Sequence, residues 1–153
     1  MRAWQYSSIT GTVEKSITLN DAVPLPTVSS RLGDAELLIQ VLSASLNPAD
    51  YKVPEMGIIA RTVIHTPATP GMDFCGRVVQ TTRTVDEFGI GDLVFGRIDA
   101  QQHGTTGEYI VAPTKACTRV PEGVSVDEAA AVGVAGMTAY RALHLSCDGI
   151  RRE

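Results

Sequence analysis

Short strand-like segments separated by Gly and Pro constrain the fold of this chain most. Residues 37–44, LLIQVLSA, are apolar enough to form a strand buried on most of both faces. Similar runs follow at fairly even spacing, at residues 73–80, 92–98, 107–111 and 116–120. Such a series predicts a mainly β fold with some α, arranged as a barrel or a sandwich. Gly76, inside one run, indicates a bulge or a close backbone approach.

The pattern changes from strand to helix after Pro121. Ser125 and Glu128 stand three residues apart in SVDE, the spacing of a capping box, so we expect a helix to begin there. Gly133 and Gly136 would each cost about 1 kcal/mol in a helix interior, which predicts two helical pieces rather than one. After Leu143 no clear period remains, and a frayed terminus is expected.

Composition narrows the classes of function. The 153 residues suffice for one domain, and a net charge of -4 without any basic run argues against a nucleic-acid partner. No apolar run approaches the length of a membrane span, and the N-terminus lacks a secretory signal. We therefore expect a cytoplasmic protein without a membrane partner. Cys75, Cys117 and Cys147 lack the spacing of a zinc site and are interpreted as buried free thiols.

The segment SLNPADYK, residues 45–52, directly follows the apolar run. One interpretation is a simple turn, since Asn-Pro initiates turns and Asp can bond its own backbone. The other is a binding loop held by a rigid sheet. In that case Asn47 could donate and accept, Tyr51 could donate through its phenol, and Lys52 would supply a cation for phosphate or a developing oxyanion.

The order of several segments is more specific than any one of them. SLNPADYK is followed by TPATPGMDFCGRVV, EFGIGDLVFG, GTTGEYIVAP and VPEGVSVDEAAAVGVAGMTAYRAL. This series resembles the N-terminal part of the medium-chain dehydrogenase/reductase superfamily, in its zinc-independent quinone-oxidoreductase and enoyl-reductase branch, over residues 1–143. The resemblance implies a GroES-like, irregular and partly closed β-barrel at residues 1–122. Residues 123–153 would be a helical start of a cofactor domain.

The resemblance also indicates a site without metal. Zinc-dependent relatives carry Cys where Asn47 stands, and a His-Glu pair where Met72 and Asp73 stand. Neither Asn nor Met is a good zinc ligand, so no catalytic zinc is expected. His65, His103 and His144 lie far apart and are interpreted as ordinary histidines, and Glu108 and Tyr109 as barrel packing. Four glycines are interpreted as turn and bulge positions: Gly71, Gly76, Gly91 and Gly96.

NPADYK is most similar to fungal trans-acting enoyl reductases, which act beside polyketide synthases. The similarity implies that residues 49–52 touch NADPH and that Thr138 lies beside the nicotinamide and the substrate. The expected cofactor-binding residues are Asn47, Ala49, Asp50, Tyr51, Lys52 and Thr138. The implied reaction transfers hydride to the β-carbon of a small-molecule or carrier-bound enoyl or ketone-type substrate. Lys52, Tyr51 and Thr138 are the candidate donors to the resulting oxyanion, and the sequence leaves open which one serves.

Members of this family continue into a Rossmann domain with a Gly-rich turn, but only Gly149 remains here after Thr138. We therefore expect a chain that is inactive alone. It could be a truncated or mis-spliced reductase, which we favour, an isolated catalytic domain, or one half of a two-chain enzyme.

A different class of function is a non-enzymatic binding module built on the same barrel. Such a module would be expected to carry polar residues where the cofactor domain packs, yet AAAVGVAGM remains apolar. An exposed helix face should then promote self-association.

Overall fold

A computed structural model describes residues 1–29, 35–99 and 104–150, with only the backbone described for Arg61 and residues 145–150. Seven strands and five α-helices make up these parts. The strands are β1 Ala3–Gln5, β2 Thr18–Asn20, β3 Glu36–Ser45, β4 Asp73–Thr81, β5 Leu93–Arg97, β6 Tyr109–Pro113 and β7 Cys117–Arg119. The helices are α1 Val13–Ser16, α2 Pro48–Lys52, α3 Ile58–Arg61, α4 Val126–Ala130 and α5 Gly133–Ile150, with 3-10 turns at Pro54–Met56 and Thr114–Ala116.

A five-stranded antiparallel sheet organises the described residues, in the order β6-β3-β4-β5-β7. β1 and β2 form a separate two-stranded sheet. A bridge between Ala3 and Gly107 joins the two sheets, and Trp4 N donates to Thr106 O over 3.0 Å. The five predicted strands and the mainly β class are confirmed, whereas β1 and β2 are too short to show a period in sequence.

The core lies on one face of the large sheet and is built from apolar, mostly aliphatic residues in or next to its strands. Its fully buried members are Leu37, Ile39, Phe74, Val78, Val94, Ile98, Ile110 and Ala112. Only the first half of β3 is buried on both faces, since Leu42 is 48% exposed and Ala44 is also exposed. The prediction that this run is buried on most of both faces therefore holds only for its first half. The β3–β6 ladder ends at Gln40, and after a last hydrogen bond from Val41 N to Glu108 O the strand pairs with β4 alone.

Glycines allow close approaches as well as turns. Gly76 lies opposite Val41, and a Cβ added at Gly76 would collide with the carbonyl oxygen of Gln40. The register of the β3–β4 pair shifts beside it, so the predicted close approach is confirmed. Gly71 and Gly91 have φ of 99° and 95°, the positive values that favour glycine, and Gly91 lies in a turn as predicted. Gly96 instead lies inside β5, where the backbone of Ala116 leaves no room for a side chain.

The helical region begins where the capping box predicts. Ser125 Oγ accepts from Glu128 N over 3.3 Å, and the Glu128 carboxylate accepts from Ser125 N over 2.9 Å. α4 ends at Ala130 and α5 starts at Gly133, which confirms two helical pieces, while Gly136 is tolerated inside α5. The predicted loss of structure after Leu143 was wrong, because α5 continues to Ile150. From Met137 to His144 the side chains of α5 are exposed on every face, so no apolar period is needed there.

Candidate functional site

Three segments of the chain meet at the carboxylate of Asp73, the first residue of β4. Asp73 is completely buried, and its Oδ2 accepts from Asn47 Nδ2 and from Val134 N, both over 2.9 Å. Ser45 Oγ approaches the same oxygen at 3.3 Å. The carboxylate therefore ties the end of β3 and the start of α2 to the start of α5.

α2 begins at this junction for local reasons. Pro48 occupies the first turn, where its missing N–H costs nothing, and the Asp50 carboxylate accepts from Asn47 N over 2.7 Å. Asn47 thus donates its backbone N–H to one buried carboxyl group and its side-chain amide to another. Residues 48–52 form a short capped helix rather than a simple turn, since Asp50 satisfies an amide at the helix start, and the binding role of this segment stays a prediction.

The Asp50 carboxyl group lies in an unfavourable environment for charge. Burial raises the pKa of Asp50, and the nearby charge of Asp73 raises it further. The hydrogen bond from Asn47 N and the more distant Arg97 act in the opposite direction but do not cancel the increase. Asp50 is therefore a buried carboxyl group that takes up a proton more readily than an exposed Asp.

The N-terminus of α5 supplies positive electrostatic potential to Asp73. The Val134 N–H points at the carboxylate, and the aligned peptide dipoles of the 18-residue helix favour an anion there. Gly133 packs so closely against Asp73 that an added Cβ would collide with Oδ1. That second oxygen is buried and accepts no hydrogen bond from the residues described. Only a residue without a side chain fits at position 133.

The residues predicted to donate a hydrogen bond to the substrate oxyanion lie near the Asp73 carboxylate but do not contact it. Tyr51 and Lys52 are exposed at the end of α2, and Ala49 is half-buried between them and Asn47. Thr138 is exposed on α5, one turn beyond Val134, and its hydroxyl donates to Val134 O over 2.7 Å. Through Asp73 the structure brings Asn47 together with the helix that carries Thr138. In the described parts of the chain, no hydrogen bond or ion pair joins Tyr51 or Lys52 to Thr138.

Two side chains near the junction were not singled out from the sequence. Ser45 ends β3 and reaches Asp73, while Arg97 pairs with Asp73 across the β4–β5 ladder and so projects from the same face of the sheet. A guanidinium nitrogen of Arg97 lies 3.9 Å from Met72 Sδ and 3.9 Å from Asp99 Oδ1. The one sequence signal for Arg97 is a charge inside the apolar run 93–98.

Asn47 and Met72 both make contacts within the protein. Met72 is buried against Arg97, and the Asn47 amide nitrogen is engaged by Asp73. Across residues 1–29, 35–99 and 104–150, no cluster of three or more His, Cys, Asp or Glu residues could hold a metal ion.

Cys75 is a buried free thiol as predicted, and Cys117 is a free thiol that is only partly buried. Burial raises the pKa of Cys117 to about 12, and the side chain of Cys147 lies outside the described residues.

The remaining predictions on single residues concern histidines and Glu108. His65 is exposed in a loop, and the ring of His144 stacks on Tyr140 with 4.1 Å between centroids. His103 lies outside the described residues. Glu108 accepts from Arg2 N and pairs with its guanidinium at 2.7 Å, which fits the predicted packing role.

None of the helices in the described segments is both long and apolar enough to span a membrane.

Comparison with known proteins identifies the family of this chain. Residues 33–122 match the family model of the alcohol dehydrogenase GroES-like domain. The trans-enoyl reductase pgmF of Aspergillus terreus is 42% identical over 149 residues, covering 94% of this chain and 42% of the relative. The chloroplastic quinone-oxidoreductase homolog of Spinacia oleracea is 35% identical over 144 residues, with coverages of 94% and 42%.

Solved structures of similar proteins have the same fold as this chain. The quinone oxidoreductase from Coxiella burnetii superimposes with a TM-score of 0.83 at 32% identity, covering 95% of this chain and 44% of that chain. A mycobacterial protein solved in complex with NADPH has the same fold, with a TM-score of 0.75 at 24% identity and coverages of 94% and 40%. The chain thus spans less than half the length of these relatives. It belongs to the alcohol dehydrogenase GroES-like domain family, in the quinone-oxidoreductase and trans-enoyl-reductase branch of the medium-chain dehydrogenases/reductases.

Proposed function

We propose that this chain is the substrate-side domain of an NADPH-dependent, metal-independent reductase of an activated C=C bond or a quinone. The observation that carries the proposal is the Asp73 junction, which holds the Asn47 end of α2 against the start of α5. It fixes the helix that carries Tyr51 and Lys52 relative to the helix that carries Thr138. Residues 1–122 would form the catalytic domain, and residues 123–153 would lead into the cofactor domain.

The exposed side chains of Lys52, Tyr51 and Thr138 are suited to hydrogen-bond a nicotinamide and the carbonyl oxygen of a substrate. NADPH, when bound, would supply the hydride. Lys52 makes no hydrogen bond or ion pair within the described residues, so its ammonium group is available to an oxyanion that develops on the substrate carbonyl. The exposed phenol of Tyr51 is the alternative donor. The Thr138 hydroxyl already donates to Val134 O, which leaves its oxygen as an acceptor suited to the carboxamide NH2 of a nicotinamide.

The donor set at the junction supports chemistry without metal. The side-chain nitrogen of Asn47 donates to Asp73 and has no lone pair for a cation. The thioether of Met72 is buried and is a weak, soft ligand. A Lewis acid is therefore replaced, in this proposal, by hydrogen-bond donors placed around the substrate oxygen.

The proposal is tested by joining this chain to the cofactor part of the Aspergillus terreus trans-enoyl reductase in place of that relative's own N-terminal part. Oxidation of NADPH is followed with a crotonyl thioester and with a quinone, and Lys52→Met should lower kcat/KM about 100-fold. Lys115→Met, which removes another exposed lysine on a 3-10 turn, is the control and should change nothing. A chelator should also leave the rate unchanged.

Two results would count against the proposal. If neither substrate is reduced although the hybrid protein is folded and binds NADPH, the alternative of a non-enzymatic GroES-like module is favoured over the reductase. If Lys52→Met and Tyr51→Phe both retain full activity, the assignment of the oxyanion donors is wrong.

A further inference from the structure

A small cavity lies between α2 and the segment that leads into β4. Its volume is about 20 Å³. Roughly 10 to 15 Å³ is enough for one water molecule, so the cavity admits a single water but no organic ligand. A water is stable in such a space only where it finds two to four polar partners. Three residues that line the cavity carry polar side chains: Asp50, Tyr6 and Thr69.

Asp50 brings a carboxyl group that has too few hydrogen-bond donors for its burial. The side chain belongs to a residue that is 8% exposed, and its Oδ2 accepts from Asn47 N over 2.7 Å. An ionised carboxylate can accept from about four donors. Burial nevertheless raises the pKa of Asp50, and the hydrogen bond from Asn47 N does not cancel the increase. A further donor at this carboxylate would therefore be favourable.

Tyr6 and Thr69 each offer a hydroxyl proton to the cavity. Tyr6 is only 5% exposed, yet its phenol makes no hydrogen bond to any residue described, and burial raises its pKa. Thr69 is also buried, and its Oγ1 accepts from Gln5 Nε2 over 3.3 Å without donating to another described group. Since a buried hydroxyl without a partner is unfavourable, a water between these groups satisfies both sides.

The cavity adjoins an open groove beside α2. The two share Tyr6, Pro54 and Ile64 in their walls, and the groove is open to solvent. Water and protons therefore have a short route from solvent past Tyr6 to the buried Asp50 carboxyl group.

We propose that the cavity binds one water molecule that bridges the Asp50 carboxyl group to the Tyr6 phenol, and that Tyr6 is thereby a positioning residue for the start of α2. The water donates to the carboxylate and accepts from Tyr6, with Thr69 as a second donor. A charged acceptor forms the stronger hydrogen bond, so Asp50 holds Asn47 N best when it is ionised. The water site is independent of the proposed function, whereas its effect on the oxyanion donors of α2 rests on that function.

A high-resolution crystal structure of the 153-residue chain tests the site directly. One water within hydrogen-bond distance of both the Asp50 carboxyl group and the Tyr6 phenol supports the proposal. A cavity without water, or a water that contacts neither group, overturns it. In Tyr6→Phe the water should be lost or should move toward Thr69, and an unchanged water position would contradict the part given to Tyr6.

Carbon-13 NMR of the chain without cofactor measures the titration of Asp50. Two other charged groups act on this carboxyl group, Asp73 of β4, which raises its pKa, and Arg97 of β5, which lowers it, and both are left in place. Tyr6→Phe removes the phenol and keeps the ring. The midpoint of Asp50 should then shift to higher pH, because the carboxylate loses the bridged donor. An unchanged midpoint overturns the bridge.

Two further variants make this titration specific. Tyr109→Phe removes a phenol that is half-buried outside the cavity walls, and it should leave the midpoint of Asp50 unchanged. Thr69→Val should shift the midpoint upward by less than Tyr6→Phe does. The amide resonances of Tyr51 and Lys52 should follow the same midpoint, and resonances that ignore it would show that α2 is not positioned in this way. Circular dichroism checks that the variants are folded.

The hybrid reductase separates this inference from the proposed function. Its kcat/KM should fall toward acid pH with the Asp50 midpoint, and the fall should begin at a higher pH in Tyr6→Phe than in wild type or Tyr109→Phe. A purely structural role of Tyr6 would lower kcat/KM equally at every pH and would overturn the positioning role. If the hybrid reduces no substrate, the reductase proposal fails, while the crystal structure and the NMR titration still decide on the water site.

Discussion

Asn47 donates its side-chain amide to Asp73 Oδ2 over 2.9 Å, and both groups are buried. The same carboxylate oxygen accepts from Val134 N, so a single residue of β4 orients the starts of two helices. Because Asp50 also accepts from Asn47 N, two buried carboxyl groups are held by one asparagine. The geometry of the candidate site therefore depends on residues that need not touch a substrate.

Replacement of Asp73 by Asn should destabilise the protein strongly. The substitution leaves one oxygen that can accept from Asn47, Val134 and Ser45, but it removes the negative charge and places a buried NH2 group without an acceptor at the position of Oδ1. We expect the free energy of unfolding in urea to fall by about 2 to 4 kcal/mol. Asp99→Asn, at a side chain that is 82% exposed, should change it by less than about 0.5 kcal/mol. Equal effects of the two variants would contradict a special role for Asp73.

Gly133→Ala should also be destabilising, although Ala is normally the better helix residue. Its Cβ would collide with the Asp73 carboxylate, which must move away from Val134 N. We expect a loss of about 1 to 3 kcal/mol in the free energy of unfolding. Gly136→Ala is the control, since it meets only the exposed and movable Val132 and should be neutral or stabilising by up to about 1 kcal/mol. A stabilised Gly133→Ala would show that the collision is absent.

The raised pKa of Asp50 gives stability a specific pH dependence. The folded protein binds this proton more tightly than the unfolded chain, whose Asp titrates near 3.8. Stability from the protonated form is therefore fully present at low pH and is lost as the pH rises through the folded pKa. The stability of wild type relative to Asp50→Asn should fall as the pH rises above 3.8 and level off once the pH exceeds the raised pKa of the folded protein. Urea unfolding of both proteins at several pH values measures this difference, and a rising or flat difference would contradict it.

The outer part of α5 should promote self-association of the isolated chain. Met137, Tyr140 and Leu143 are spaced by three residues on one helix face and are 52%, 64% and 66% exposed. Burial of such a face is favourable by about 25 cal/mol per Å² of apolar surface. We expect the mass measured by sedimentation equilibrium to increase with concentration, and Met137→Glu with Leu143→Glu to abolish the increase. Ile90→Glu, on the β4–β5 turn, is the control, and a monomer at all concentrations would refute this expectation.

Local patterns in the sequence predicted the helices and strands that are determined by residues close together in the chain. The SVDE capping box predicted the start of α4, because Ser125 and Glu128 satisfy each other's backbone amides within three residues. The apolar runs predicted the five strands of the large sheet. The continuation of α5 to Ile150 was missed, since the residues after Leu143 show no periodic signal in the sequence.

The candidate site was predicted only in part. The residue types of NPADYK indicated polar chemistry after a strand, and the family resemblance added Thr138 to the set. The hydrogen bond between Asn47 and Asp73 spans 26 positions along the chain, and the one from Val134 spans 61. No local pattern reports contacts over such separations, so Ser45 and Arg97 were also missed.

The sequence by itself determined the mainly β class, the family and the break between α4 and α5, because strand periodicity, glycine and capping residues act over a few positions. Only the tertiary structure decided that Asp73 joins α2 to α5 and that a groove opens beside α2. Those features arise where distant segments pack, and there burial and hydrogen-bond geometry, rather than residue type, decide what a side chain can do.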